Sequence, residues 1–177
     1  MNKSQRLHFC VFPTPLGKFS LAVDPSGAVA AAAFGGETAL RGRLRGGTLV
    51  ADPARTRTAR RQVEAWFRGE GRGFSVALAP AGTPFQRRVW AELRAIPFGE
   101  TRSYGAVARS VRSSPRAVGR ANATNPICLM VPCHRVVGSD GALTGYAFGE
   151  ETKRRLLEIE GAPVSAPQPC GPRPRRP

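Results

Sequence analysis

The sequence predicts an α/β N-terminal unit followed by a mainly α C-terminal unit that contains a helix-turn-helix. Three observations support this. Short apolar runs broken by turn residues fill the first 34 residues, which is the pattern of strands. From Thr83 onward, apolar residues recur at helical spacing behind N-cap signals. Two short capped helices, over residues 103–111 and 114–125, then flank a polar break. Any pair of short helices shares that last pattern, so spacing alone does not single out the motif.

The elements follow in order. The runs FCVF, FSLAV and AVAAAAF are separated by PTPLG and DPSG, and form a small antiparallel sheet. Residues 35–57 are rich in Gly and Arg and read as a loop with little order. TARRQVEAWFRG places Val63, Trp66 and Phe67 on one helical face, with Gly69 as the stop. FSVALAP reads as one further strand. In TPFQRRVWAELRAIPFG, Thr83 caps a helix, Pro84 takes its first position and Gln86 completes a capping box. Phe85, Val89, Trp90 and Leu93 form its apolar stripe, and Pro97 and Gly99 end it. Ser103 caps the next helix, which buries Tyr104, Val107, Ala108 and Val111; Ser114 and Pro115 start the one after it.

ICLMVPCH, after Asn125-Pro126, reads as a buried extended segment. GSDGALTGY supplies turns, and EETKRRLLEIEG forms a last helix with Leu156, Leu157 and Ile159 inward. The final 16 residues contain six prolines and three arginines, a composition that builds no core and predicts disorder. Cys170 in that tail is an exposed, non-catalytic thiol. The units are therefore residues 1–80, residues 83–161 and a tail over 162–177.

At 177 residues the chain fits one domain or two small ones sharing an interface. No segment approaches the roughly 18 apolar residues of a membrane span, and the N-terminus lacks signal-peptide character. A cytoplasmic protein without membrane contact is expected. The net charge is +15, from 27 Lys and Arg against 12 Asp and Glu. Nine arginines and two carboxylates between Arg87 and Arg135 make a local excess of +7, which suits a polyanion or a solvated face. The four cysteines, Cys10, Cys128, Cys133 and Cys170, form no C-x-x-C pair, so reduced thiols are expected over a disulfide framework.

Within 114–125, Ala117, Gly119, Ala121 and Ala123 surround Arg116 and Arg120. A helix is roughly 10–12 Å across and a minor groove about 6 Å wide, so a helix entering that groove has to be slim. Small residues with arginines suit this approach, and an arginine can fill a vacated place in the base stack. The same small residues equally suit close packing against another helix.

The stretch VPCHRV sets Cys133 beside His134. A thiolate nucleophile needs a cationic or basic neighbour, and imidazole supplies one. Successive residues of a strand point to opposite faces, so His134 reaches the thiol only through a bend or a water. Glu160 is a candidate to orient the imidazole. Three alternatives stay open on these residues alone: an inert buried cysteine, a cysteine hydrolase, and metal binding through Cys128, Cys133 and His134, whose spacing matches no usual zinc pattern.

NPICLMVPCHRVVGSDGALTGYAFG, preceded by TPFQRRVWAELRAIPFGETRSYGAVA and SPRAVGRAN, resembles the O6-alkylguanine-DNA alkyltransferases, also called methylated-DNA–protein-cysteine methyltransferases. The resemblance is strong over residues 83–161 and looser over the N-terminal unit. It implies a ribonuclease-H-like N-terminal unit and a monomer that binds double-stranded DNA through the minor groove. It implies direct repair in which a flipped O6-alkylguanine gives its alkyl group irreversibly to the protein's own cysteine, in a single turnover, with no cofactor and no metal.

On this sequence the resemblance makes Cys133 the acceptor. His134 deprotonates it through a water, Glu160 orients His134, and Asn125 braces the turn beneath the thiol. Tyr104 assists flipping and donates to the base, and Arg116 fills the space the base leaves. Ser103, Ala117, Arg120 and Arg135 join Arg116 as DNA contacts. The backbone near Cys133 and Val136 reads the guanine amino group, while Tyr146 and Ala147 line the pocket.

Three positions depart from the family pattern. Cys128 stands where members commonly carry a pocket proline, and Phe148 where a second small glycine is usual, with Glu150 close behind. Phe148 narrows the pocket or turns outward; methylguanine is the expected substrate. Two rival readings differ in class. An alkyltransferase-like DNA binder lacks the acceptor cysteine, and an alkylation-triggered gene regulator needs an added sensor domain.

Overall fold

The computed structural model describes residues 6–163; the Pro/Arg-rich tail from residue 164 and Cys170 lie outside the described residues. Its N-terminal sheet has four strands in the order β3-β2-β1-β4, namely β1 (Arg6–Thr14), β2 (Gly17–Val23), β3 (Val29–Phe34) and β4 (Thr48–Ala51). β1 pairs antiparallel with β2, and β2 with β3, as the turn residues require. β4 runs parallel to β1, with Leu7 opposite Leu49.

β4 and the short α1 (Glu37–Arg41) occupy the segment expected to be a loop. Leu40 and Leu49 are both buried and anchor them, so two leucines suffice to order a polar stretch. α2 (Pro53–Phe67) starts at an N-cap missed in the sequence: the Asp52 carboxylate accepts from the Ala54 and Arg55 N–H groups, with Pro53 at the first turn. FSVALAP forms only an isolated bridge, Val29 to Leu78, because it meets the sheet edge at one point.

α3 (Pro84–Arg94) carries the expected capping box between Thr83 and Gln86, and buries Val89, Trp90 and Leu93. The Trp90 indole donates to Ala121 O at 2.8 Å, tying α3 to the second helix of the helix-turn-helix. That motif is α4 (Tyr104–Ser110), capped by Ser103, and α5 (Pro115–Ala123), capped by Ser114. α6 (Glu150–Ile159) closes the chain. It buries Lys153 together with Leu156 and Leu157, whereas Ile159 is among the exposed large apolar residues, so the inward face lies one step away from the expected one.

Two short pairings position the segment around Cys133. The edge strand β3 bonds the chain at Ile127: Ala32 N donates to Pro126 O at 2.9 Å, and Cys128 N to Ala32 O at 3.1 Å. On the other side, β5 (Arg102–Ser103) runs parallel to β6 (Val136–Val137), which brings the start of α4 beside the residues that follow Cys133. One apolar cluster spans both halves, from Phe12, Phe19 and Trp66 to Trp90, Val107 and Leu156. Among the described residues no helix is long and apolar enough to cross a membrane. Thr83→Ala removes one side of the capping box and is expected to cost about 1 kcal/mol of stability, read from urea unfolding at constant m-value.

Candidate active site

Asn125 shapes the turn that carries the thiol. Its side chain is buried, donates to Val131 O at 2.8 Å and accepts from Ile127 N at 3.0 Å, so one amide holds both ends of residues 127–131. Leu129 sits at φ 69°, unusual for a side chain without a local polar anchor, which shows that the surrounding bonds impose the turn. The segment is buried as expected but coiled where an extended run was expected. It ends in a 3-10 turn, Cys133–Arg135. This turn provides the bend needed between the thiol and the next side chain.

His134 is fully buried and its Nε2 lies 2.9 Å from Glu160 Oε1. Burial pushes the Glu160 carboxyl up, but hydrogen bonds from His134 and Arg135 outweigh it and hold the group at about 2. Burial pulls the His134 imidazole below its ordinary value, against the pull of Glu160. A neutral imidazole facing a carboxylate must place its proton on Nε2. Nδ1 is then the lone pair, and it is a buried atom with no hydrogen-bond partner. The result is a base with its orientation fixed and its acceptor free.

Cys133 is 4% exposed. Burial pushes its thiol up, opposed by the nearby Asn125 amide and Tyr146 phenol and by the charges of Arg43 and Lys153. The Tyr146 hydroxyl nonetheless falls short of hydrogen-bond geometry and has no partner. The Tyr104 hydroxyl accepts from Asn122 Nδ2 at 3.3 Å, and the same Nδ2 donates to Cys133 O at 3.3 Å. Lys153 donates to Val136 O at 2.6 Å and to Thr144 O at 3.1 Å, and its burial lowers it to about 8.

Residues 84–162 match the family described as 6-O-methylguanine DNA methyltransferase, DNA binding domain. A methylated-DNA–protein-cysteine methyltransferase of Methanosarcina acetivorans is 42% identical over 158 residues, which is 88% of this chain and 99% of that protein. The chain belongs to the methylated-DNA–protein-cysteine methyltransferase family. The protein of that name from Mycobacterium tuberculosis is 51% identical over 111 residues, 62% of this chain and 67% of that one. The crystal structure of M. tuberculosis OGT in complex with DNA aligns with a TM-score of 0.78 at 41% identity, over 88% of this chain and 95% of that chain.

In this methyltransferase the site gathers Cys133, His134, Glu160, Asn125, Tyr104, Val136 and Tyr146 around one turn; Ala147 lies beside them and is exposed. Arg116 and Arg120 are exposed on α5, with Ala117 half-buried next to Arg116. A Cβ added at Gly119 meets only Tyr104 Cε1 at 3.9 Å, an ordinary contact, so tight helix packing does not demand the glycine. Ser103 accepts from Ala106 N at 3.1 Å as the cap of α4. Phe148 turns inward: its ring lies 5.6 Å from both Phe34 and Tyr146, with the Arg43 guanidinium 4.6 Å above it.

Arg135 corrects the sequence reading. It is 7% exposed, its Nε and Nη2 grip Glu160 at 2.8 and 2.9 Å, and its Nη1 bonds Ile96 O at 2.6 Å, so three of its five N–H donors are engaged inside the protein and the side chain is buried rather than presented to DNA. Asn122, Lys153 and Arg43 were missed. Lys153 lies one helical turn before Leu156 and Leu157, the signal that would have placed it inward. Asn122 was hidden among small residues, and Arg43 sits in a loop without periodicity.

Two outcomes test this wiring. Arg135→Ala strands a buried carboxylate and is expected to cost about 3–5 kcal/mol of stability, while Arg116→Ala changes stability by less than about 0.5 kcal/mol, both by denaturant unfolding. Because Glu160 is lowered from 4.5 to about 2, its stabilisation is complete above pH 4.5 and declines as pH falls toward 2. Tryptophan fluorescence during acid titration is expected to show that slope in the native protein and a weaker one in Glu160→Gln.

Proposed function

We propose that Cys133 is the atom this methyltransferase alkylates, taking the group from O6-alkylguanine in double-stranded DNA in one irreversible transfer per protein molecule. The observation that carries the reading is the tautomer forced on His134, the residue next to Cys133 in the chain: Glu160 holds its Nε2 proton, and the Nδ1 lone pair stays free. A water relays the Cys133 proton to Nδ1, and the imidazolium formed is stabilised by the Glu160 carboxylate. The sulfur then attacks the methyl carbon in line. The S–C bond forms as the C–O6 bond breaks, and the electron pair goes to the guanine, whose developing charge Tyr104 offsets by hydrogen bonding. No cofactor takes part. The thioether product offers water no electrophilic carbonyl, so the protein is spent.

For access to the base, α5 enters the minor groove with Arg116 and Arg120 outward, and Ser103 and Ala117 flank the backbone. Arg116 occupies the place of the extruded nucleotide, whose flipping costs a few kcal/mol and less for a weakened pair. Tyr104, Val136, Tyr146 and Ala147 receive the base. The strand order β3-β2-β1-β4, with β4 parallel to β1, supports a ribonuclease-H-like N-terminal unit over residues 1–80 ahead of the alkyltransferase unit over 83–161. The protein acts as a monomer, in the cytoplasm, where its thiols stay reduced.

Mass spectrometry after incubation with excess methylated duplex is expected to find a single methyl, on the peptide that contains Cys133. Cys133→Ala is expected to keep DNA affinity and lose transfer. Catalytic turnover, or an unmodified Cys133, refutes the reading, and the latter outcome matches a non-repairing DNA binder. With Phe148 packed inward against Tyr146, O6-benzylguanine is expected to inactivate the protein more slowly than methylated duplex does.

A further inference from the structure

Asn122 lies on α5, the helix assigned to DNA, yet it is 4% exposed and faces the thiol side. Its Nδ2 donates to two acceptors from different elements, Tyr104 Oη and Cys133 O, each at 3.3 Å. The Cys133 carbonyl settles which end of the amide is which. Turning the amide over would set Oδ1 against that carbonyl oxygen, two acceptors facing each other. Nδ2 is therefore the shared donor, and the Tyr104 hydroxyl must accept from it.

This fixes the direction of the phenolic proton. With one lone pair engaged by Asn122, the hydroxyl hydrogen has to leave elsewhere. Its one protein acceptor among the described residues is Thr144 O at 3.5 Å, the outer limit of hydrogen bonding. The proton is thus available to a ligand. Asn122 also keeps a buried Oδ1 with no partner, a group that costs stability unless a water or a ligand N–H satisfies it.

We infer that Asn122 is a positioning residue for alkyl transfer: it holds the Tyr104 hydroxyl as a donor toward the flipped base and locks that phenol to the backbone of Cys133. This rests on the reaction proposed above. The role differs from packing, because its effect passes through one hydroxyl.

A double-mutant cycle measures it. With full-length protein and saturating duplex containing O6-methylguanine, Asn122→Leu is expected to slow single-turnover methyl transfer about tenfold, the scale of one hydrogen bond gained in the transition state, while the DNA Kd changes less than about twofold. In a Tyr104→Phe background the same substitution is expected to slow transfer less than about twofold, since the hydroxyl it orients is gone. Losses that simply multiply, an unchanged rate in Asn122→Leu, or a loss confined to Kd overturns the inference. Thermal melts verify folding, and Asn122→Ser carries the same cycle if the leucine variant does not fold. A native protein that transfers no methyl at all refutes the reaction itself, which separates the two failures.

Discussion

A buried carboxylate organises this protein. Glu160 closes α6 and accepts from His134 on one oxygen and from Arg135 on both. An uncompensated charge at that depth is prohibitive, so the ion pair and the imidazole are conditions of folding as much as of chemistry. The arrangement also explains why three consecutive residues, Cys133, His134 and Arg135, do three different jobs. The 3-10 turn buries all three side chains and brings the imidazole and the guanidinium to Glu160. Removing the carboxylate would free the imidazole to adopt either tautomer, and only one of them keeps the lone pair on Nδ1.

The thiol turn is held from both halves of the chain. From the N-terminal half, β3 pairs with the backbone around Ile127, and Arg43, in the turn after α1, reaches across to Ala123 O at 3.0 Å, at the exposed carbonyl end of α5. From the C-terminal half, β6 pairs with β5, and Lys153 clamps Val136 O to Thr144 O. The N-terminal unit lends the site the charge of Arg43. It also contributes rigidity: it supplies one wall against which the Asn125 turn is fixed, and the aromatic face of Phe34 on which Phe148 rests.

Burial sets a tension that the site resolves locally. A thiol removed from water resists ionisation, yet the reaction requires the thiolate. The structure offsets desolvation with two positive side chains, Arg43 and Lys153, and with an imidazole kept neutral for the same reason of burial. A thiol held neutral until a base and an electrophile are both present is protected from adventitious oxidation, which suits a group that is used once.

The sequence by itself determined much of the local structure. Thr83, Ser103 and Ser114 announced their helices, because a cap acts over three residues and needs no tertiary partner. The strands up to Phe34 were equally legible from turn chemistry, and Cys133, His134, Asn125 and Glu160 from their motif and its family resemblance. Asp52-Pro53 carried a signal of the same kind within a stretch whose Gly and Arg content masked it. What only the tertiary structure decided are the pairings between distant residues. That Arg135 turns inward to Glu160, that Lys153 replaces Ile159 on the buried face of α6, and that Asn122 bridges Tyr104 to Cys133 all depend on which elements meet. A charged or amide side chain is buried only where a partner waits, and a partner some 10 to 25 positions away leaves no periodicity in the chain to betray it.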